Sequence, residues 1–215
     1  MPNSSAVFAL HQRLCPGFAA CALALAGLTL ASCARTPGDS SAEAGFARDM
    51  ATHHAQAVEM AFVVRDASQD RDLRALAYDI IVTQSAQRGV FMGWLQQWGL
   101  SQASAAPRMA WMPGHASAPV APAGAAPLMH GMATDEELAQ LRAATGSNAE
   151  GLFLQLMIRH HEGGLIMARA ILQLSERQEV VTMAKAIDQG QAVEITLMTE
   201  MLAKRGAQPL PSLLH

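Results

Sequence analysis

The fold of this chain is decided by a segment that occurs twice. Residues 46–61 read FARDMATHHAQAVEMA, and residues 153–168 read FLQLMIRHHEGGLIMA. The two stretches align without a gap at an offset of 107 residues, and the same offset continues into the sequence that follows each of them. It pairs like residues of the two halves: Ile80 with Ile187, Gln84 with Gln191, Leu95 with Leu202, and Gly99 with Gly206. One offset kept over so long a stretch indicates an internal duplication.

The first copy is predicted to form two helices. Its apolar residues and one histidine recur at steps of three and four, the spacing of one helix face. The helices are expected at about 43–67 and 72–98, with a polar break at 68–70. The faces predicted to be buried contain Phe46, Met50, His53, Ala57, Met60 and Val64 in the first helix, and Leu73, Leu76, Ile80, Thr83, Gln87, Phe91, Trp94 and Trp98 in the second.

The second copy predicts the same arrangement. A helix is expected to end near residue 174 and a last helix near residue 204, with Gly206 as a stop signal. Gly163 and Gly164 are expected to mark a close approach or room beside a neighbouring histidine. Three Ser/Thr-x-x-Glu/Gln patterns, at Thr134, Ser147 and Ser175, resemble capping boxes that start helices. The buried face of the first helix is predicted to contain Phe153, Met157, His160, Gly164, Met167 and Ile171.

These patterns predict an all-α fold, a four-helix bundle built from two duplicated helical hairpins. A lone amphipathic hairpin cannot bury its apolar face, so the two should pack on each other. The bundle is expected over 43–207. Within it we expect repeat 1 at 43–99, a Met/Pro/Ala linker at 100–133, a short helix at 134–145 and repeat 2 at 148–206.

Composition and charge restrict the function. Hydrophobic residues make up 51% of the 215 residues, which is enough for a real core. The formal net charge is −3, and no basic stripe is visible. Nucleic-acid binding depends on Lys and Arg that neutralise phosphates, so a nucleic-acid partner is not expected.

The N-terminus predicts export. A basic flank precedes an apolar run from about Phe18 to Leu30, which is followed by Ala31-Ser32-Cys33. A short apolar run that ends in small residues indicates a secretory signal peptide, here 1–32. Leu-Ala-Ser-Cys resembles the bacterial lipobox, so Cys33 is expected to be lipidated at the start of a tether, 33–42. The expected location is the periplasmic side of the cell envelope, and Ala34 favours the outer membrane.

Each copy carries two adjacent histidines, which point about 100° apart on a helix. His53 and His160 therefore lie on the apolar face, and the second histidine of each pair lies on the flank. Met50 precedes His53 by three residues, and Met157 stands likewise to His160, a spacing at which side chains meet. If the hairpins face each other, imidazoles and thioethers converge near the core. A His/Met set without cysteine points to copper, most naturally Cu(I).

Other interpretations of the histidines stay open. Methionine at helical spacing often only fills the core. His53 and His160 could bond to each other, or to Gln84 and Gln191 of the neighbouring helices. Asp49, four residues before His53, could orient that ring if it is a ligand. The alternatives are a non-metal interaction or stress-related module, and an envelope enzyme that uses the His pairs. A ferritin-type di-iron centre is excluded because the chain lacks Glu-x-x-His.

The linker carries further soft donors without any periodicity. It is rich in Ala, Pro, Ser and Gly, so it is expected to be a loop that is ordered only in part. Transient metal capture is a hypothesis for its methionines and histidines: Met109, Met112, His115, Met129, His130 and Met132.

The repeated pattern F-x-x-x-M-x-x-H-H-x-x-A/G-x-x-M-A resembles the domain of unknown function 305 family, as does Thr-Asp-Glu-Glu-Leu between the copies. The resemblance covers about 42–207. It implies a ferritin-like four-helix bundle, and some members of the family are periplasmic copper-binding proteins. Carried onto this chain residue by residue, it suggests these ligand candidates: Met50, His53, His54, Met60, Met157, His160, His161 and Met167.

The leading hypothesis is therefore a non-enzymatic, lipid-anchored envelope protein. It would sequester copper or transfer it, with a membrane, a metal ion and an envelope metal-handling protein as partners.

Overall fold

The structure confirms the all-α fold. The computed structural model describes residues 36–114 and 129–214, and all regular structure in these two ranges is helical. The predicted signal peptide, Cys33 and His115 lie outside the described residues. Five helices follow in order: α1 (Ala42–Ala67), α2 (Arg71–Gln97), α3 (Asp135–Ala143), α4 (Gly146–Leu174) and α5 (Gln178–Lys204).

Two hairpins meet through their first helices. Helix α1 packs on α2, α4 packs on α5, and α1 packs on α4. The second half of α1 and the first half of α4 share one apolar core, which we call the first core. The first half of α1 and the second half of α4 share the other, the second core. Helices α1 and α4 are therefore antiparallel, as a twofold relation between the repeats requires.

A buried polar layer separates the two cores. It consists of His53, His54, Gln84, His160, His161 and Gln191, and none of these residues is more than 4% exposed. Along each of the four long helices, these residues fall between the segment in the first core and the segment in the second. The duplication therefore places both His pairs at the crossing of α1 and α4.

Two reciprocal hydrogen bonds tie the repeats together. The Ser68 hydroxyl, after α1, donates to Glu150 Oε1 at 2.6 Å, and the Ser175 hydroxyl, after α4, donates to Glu43 Oε1 at 2.9 Å. Each pair is related to the other by the offset of 107 residues. Each serine also accepts from the main-chain N–H two residues on. The turn of each hairpin thus holds the start of the other hairpin.

This use of the side chains corrects two of the three predicted capping boxes. Glu150 accepts from Ser68 and from Arg205 Nε, so it does not cap with Ser147; α4 begins at Gly146 after Thr145. At Ser175, the helix that follows has Arg177 as its N-cap and no side-chain cap bond. The box predicted at Thr134 is present, with Thr134 and Glu137 bonded to each other's main-chain N–H. A Ser-x-x-Glu pattern does not show whether its serine and glutamate bond within one helix or to a distant residue.

Glycines end the second helix of each hairpin. Gly99 and Gly206 adopt φ values of 69° and 70°, which side chains other than glycine tolerate poorly. In both places the following N–H reaches back over the turn, from Leu100 to Leu95 O and from Ala207 to Leu202 O. These are Schellman-type ends, and the one at Gly206 was predicted from the sequence.

The buried face of α2 differs from the prediction at one position. Thr83 is exposed, and the face passes instead through Ile81 and Gln84. Strict heptad spacing drifts from the 3.6-residue turn of a straight helix, which accounts for the shift. On their outer sides, α2 and α5 expose apolar residues, including Tyr78 and Val193. Among the helices of the described ranges, none has both the length and the apolar character needed to cross a bilayer.

The described parts of the linker are packed against the second core. Met109, Met112 and Met129 are buried there. Asp49 of α1 accepts from Met109 N at 2.8 Å and from Trp111 Nε1 at 3.0 Å. The described parts of the linker, 100–114 and 129–133, contain no helix, but these methionines lie inside the protein rather than in open loop.

Candidate metal site

The rings of His53 and His160 face each other at the crossing of α1 and α4. Their centroids are 3.7 Å apart and their planes are inclined by 35°. Both residues are fully buried. The facing position expected from the duplication is therefore present, and it brings one imidazole from each repeat into van der Waals contact.

Oxygen acceptors fix the protonation of three of the four rings. His53 Nε2 is 3.0 Å from the main-chain oxygen of His130, and His161 Nε2 is 2.6 Å from Glu194 Oε2. His54 Nε2 is 2.8 Å from Gln87 Oε1. Because a carbonyl or carboxylate oxygen accepts, each of these Nε2 atoms carries the proton that it donates. In the neutral rings of His53 and His54, Nδ1 therefore keeps a free lone pair. In metal-binding histidines, the ring nitrogen that does not bind the metal typically donates to such an oxygen.

The Nδ1 atoms have no partner of their own. Among the described residues, the buried Nδ1 atoms of His53, His54 and His161 make no hydrogen bond, and neither ring nitrogen of His160 makes one. The side-chain amides of Gln84 and Gln191 are likewise buried without a partner. Each unmade bond costs about 1–3 kcal/mol, so these nitrogens and amides are the candidate donors of the site.

Burial keeps the rings of His53, His54 and His160 neutral at neutral pH. It lowers the pKa of His53 to about 4 and that of His54 to about 3. It also lowers the pKa of His160 well below the usual value, and the neighbouring His53 and His161 add to the effect. Because a metal binds only the unprotonated ring, these imidazoles are in their ligand form at neutral pH.

The depressed pKa values predict acid-sensitive folding of the metal-free protein. Unfolded histidines take up protons near pH 6.5, whereas His53 does so in the folded core only near pH 4. The free energy of unfolding is therefore expected to be flat with respect to these groups above pH 6.5. It should fall as the pH drops below that value. The slope is about 1.4 kcal/mol per pH unit for each histidine that is protonated in the unfolded chain but neutral in the folded core.

Urea unfolding in the presence of a chelator, followed by circular dichroism between pH 7.5 and pH 5, measures this slope. The burial of Asp49, which raises its pKa, acts in the opposite direction. The lowered pKa values of Asp70 and Glu137 act at lower pH, below their usual values of 3.8 and 4.5. Equal stability at pH 7 and pH 5 would contradict the burial of neutral imidazoles.

The predicted thioether donors lie on both sides of the polar layer. Met60 and Met157 belong to the first core, Met50 and Met167 belong to the second, and all four are fully buried. In the part of the chain that the structure describes, no three His, Cys, Asp or Glu side chains are grouped so as to hold a metal. The thioethers on either side of the layer are further candidate donors, and thioethers suit a soft ion.

The linker donors are divided. Met109, Met112 and Met129 share the second core with Met50 and Met167, and Met132 packs against it. His130 contributes its main-chain oxygen to His53. A Cβ on Gly163 would lie 2.0 Å from that oxygen. Gly163 therefore gives room for the linker backbone beside the His pair, and Gly164 gives room for the side chain of Gln191.

Three predicted partners are placed differently. Asp49 bonds to Met109 N and Trp111 Nε1, so it does not orient His53. Gln84 and Gln191 form no hydrogen bonds with the histidines. A cavity of about 580 Å³ beside Asp49 contains none of the eight ligand candidates in its lining.

The partners that sequence reasoning missed are Gln87 and Glu194. They bond to the second histidine of each pair and are related to each other by the offset of 107 residues. Pairing like residues along that offset could not find them because one is an amide and the other a carboxylate. The available signal was that both are polar residues at equivalent positions of the two repeats.

Fold and geometry together define a duplicated helical-hairpin protein with two buried His pairs between its apolar cores. The family profile described as a domain of unknown function (DUF305) matches residues 43–202. The chain belongs to the DUF305 family. No curated protein matches it.

Solved structures agree with this membership. A DUF305 protein from Streptomyces coelicolor is 42% identical, with 81% of this chain and 99% of that chain covered and a TM-score of 0.73. A DUF305 fragment from Deinococcus radiodurans is 34% identical, with 76% and 96% covered and a TM-score of 0.62. CopM in its Cu(II)-bound form is 26% identical, with 76% and 97% covered and a TM-score of 0.57. CopM has also been solved in Cu(I)-bound and Ag-bound forms.

Proposed function

We propose that this protein binds copper as its cargo, in preference as Cu(I), within the polar layer between its repeats. The observation that carries the proposal is the set of buried imidazole nitrogens without partners in a core flanked by thioethers. Neutral imidazole and thioether are the donors that Cu(I) favours, and the described chain offers no thiolate that would compete. Copper and silver bound to CopM support a soft metal as cargo.

The proposed donors come from both repeats. His53 and His160 supply facing imidazoles, with His54 and His161 on the flanks. The thioethers of Met50, Met60, Met157 and Met167 are the remaining candidates. A site shared between two hairpins would hold metal only when the hairpins are packed together, which suits a protein that stores copper or hands it on.

We further propose that this takes place in the cell envelope. The sequence of 1–33 supports export and lipidation at Cys33, so that the bundle would face the periplasm from a membrane anchor. An envelope protein that delivers or accepts copper would be its partner. A copper-binding role without catalysis fits a centre whose donors are all buried.

Anaerobic titration with Cu(I) against a chromophoric chelator tests the proposal. The purified protein is expected to bind Cu(I), and Ag(I) as a stable substitute, with a Kd below about 1 μM. Zn(II) is expected to bind more weakly because thioethers are poor zinc ligands. Cu(I) binding no tighter than that of Zn(II) would rule out the proposed function and leave the polar layer as a structural feature.

A further inference from the structure

The twofold symmetry of the polar layer is broken in its charge. His54 donates to the neutral amide of Gln87, whereas His161 at the equivalent position of repeat 2 donates to the carboxylate of Glu194. Both histidines are fully buried, and both have an Nδ1 without a partner. The two halves are thus alike in shape and different by one negative charge.

The other carboxylates adjacent to the His pairs are committed elsewhere. Glu162, next to His161 in sequence, accepts from the Ser212 hydroxyl and from Leu213 N at 2.7 Å each. Asp49 accepts from the linker. Of the described carboxylates, Glu194 is the one that hydrogen-bonds to a histidine of the polar layer. Among the described side chains that hydrogen-bond to the four rings, Glu194 is therefore the one that carries a carboxylate.

That charge bears on which cation the layer accepts. A cation taken into a dry core is strongly disfavoured unless an opposite charge lies near it. One carboxylate balances one monovalent ion. A divalent ion in the same place leaves an excess of one positive charge, and so does a second monovalent ion. A hydrogen bond from Nε2 to a carboxylate also makes Nδ1 of the same ring a more basic ligand than a hydrogen bond from Nε2 to an amide does.

We propose that Glu194 is a positioning residue that makes the His160–His161 half the tighter half of the site and selects a single monovalent soft cation. It acts through His161 by holding the proton on Nε2 and by balancing the charge of the ion. The inference rests on the proposed function, because it names the half of that site which is loaded first and the charge of its ion. Gln87 is the natural counterpart that lacks the charge.

The test exchanges the two residues. Glu194→Gln removes the charge and keeps an oxygen acceptor for His161, as Gln87 does for His54 in the native chain. It is expected to weaken Cu(I) and Ag(I) binding by about 10–100-fold in competition titrations. Gln87→Glu is expected to strengthen binding of a divalent probe, Zn(II), relative to Ag(I). Glu200→Gln, an exposed carboxylate on the same helix, is the matched control for net charge and should change neither affinity.

The double variant Gln87→Glu/Glu194→Gln gives a readout that a merely structural role would not move. It should recover most of the Ag(I) affinity. In ¹⁵N NMR spectra, the histidine nitrogens shifted most by the first equivalent of Ag(I) should change from His160 and His161 to His53 and His54. Unchanged Ag(I) affinity in Glu194→Gln, or no recovery in the double variant, would overturn the inference. Absence of Cu(I) and Ag(I) binding to the native protein would instead overturn the proposed function.

Discussion

Replacing His160 by leucine is expected to abolish tight copper binding without destabilising the metal-free protein. Neither ring nitrogen of His160 has a hydrogen-bond partner among the described residues, and the side chain is fully buried. Leucine fills a similar volume without a buried polar group. The free energy of unfolding should therefore stay the same or rise by about 1–3 kcal/mol, while the Cu(I) affinity should fall by at least about 100-fold.

Chelator competition and urea unfolding on the same preparations measure both quantities. Met201→Leu is the control, because Met201 lies buried in the first core outside the proposed donor set; its Cu(I) affinity should match that of the native protein. A structural role for His160 predicts the opposite pattern, with stability lost and metal affinity kept. That result would remove His160 from the proposed site.

Replacing Gly163 by alanine is expected to destabilise the protein although alanine has the higher helix propensity. The added Cβ would lie 2.0 Å from the His130 main-chain oxygen and 2.9 Å from Gly131 N. These are backbone atoms, so the linker must move and the bond from His53 to His130 is weakened. We expect a net loss of about 1–3 kcal/mol in the free energy of unfolding, the usual effect of overpacking.

Gly151→Ala on the same helix is the matched control. A Cβ at Gly151 meets nothing within 4 Å, so the substitution should stabilise α4 by about 0.5–1 kcal/mol through its helix propensity. The two alanines should thus have effects of opposite sign in urea unfolding. If Gly163→Ala stabilises the protein as Gly151→Ala does, the linker backbone does not lie against α4 in solution.

The duplication explains why the helices and the facing histidines could be predicted. A repeat at one offset gives two hairpins with equivalent apolar faces, and equivalent faces pack around a twofold relation. Phe46 and Phe153 are both fully buried for this reason. The position of His53 opposite His160 follows from the same relation once the two hairpins pack through α1 and α4, a condition that the sequence left open.

The contacts that could not be predicted are those made by the linker, those between the two repeats, and those that differ at equivalent positions of the repeats. The linker has no periodicity, so nothing in its sequence placed His130 O on His53 or Met109 N on Asp49. Glu150 follows a capping pattern but accepts from Ser68. The pattern could not predict this bond because it does not show which of two possible donors is closer in space. The bond from His161 to Glu194 could not be predicted from like residues of the two repeats, because the residue equivalent to Glu194 is the amide Gln87.

The two repeats are alike in the contacts that hold the fold and differ in the charge beside the candidate site. Paired serine–glutamate bonds and paired glycine ends preserve the symmetry that the two cores need. Charge differs beside the polar layer, where Glu194 in repeat 2 occupies the position equivalent to the amide of Gln87 in repeat 1. A duplicated scaffold can thus keep its packing while the two halves of its site acquire different affinities.

Anomalous diffraction at the copper edge, from crystals of the protein loaded anaerobically with one equivalent of Cu(I), tests the central claim most directly. The account predicts one strong peak between α1 and α4, within bonding distance of a ring nitrogen of the His pairs and of a thioether from Met50, Met60, Met157 or Met167. Copper found only at surface residues, with the polar layer unchanged, would contradict it.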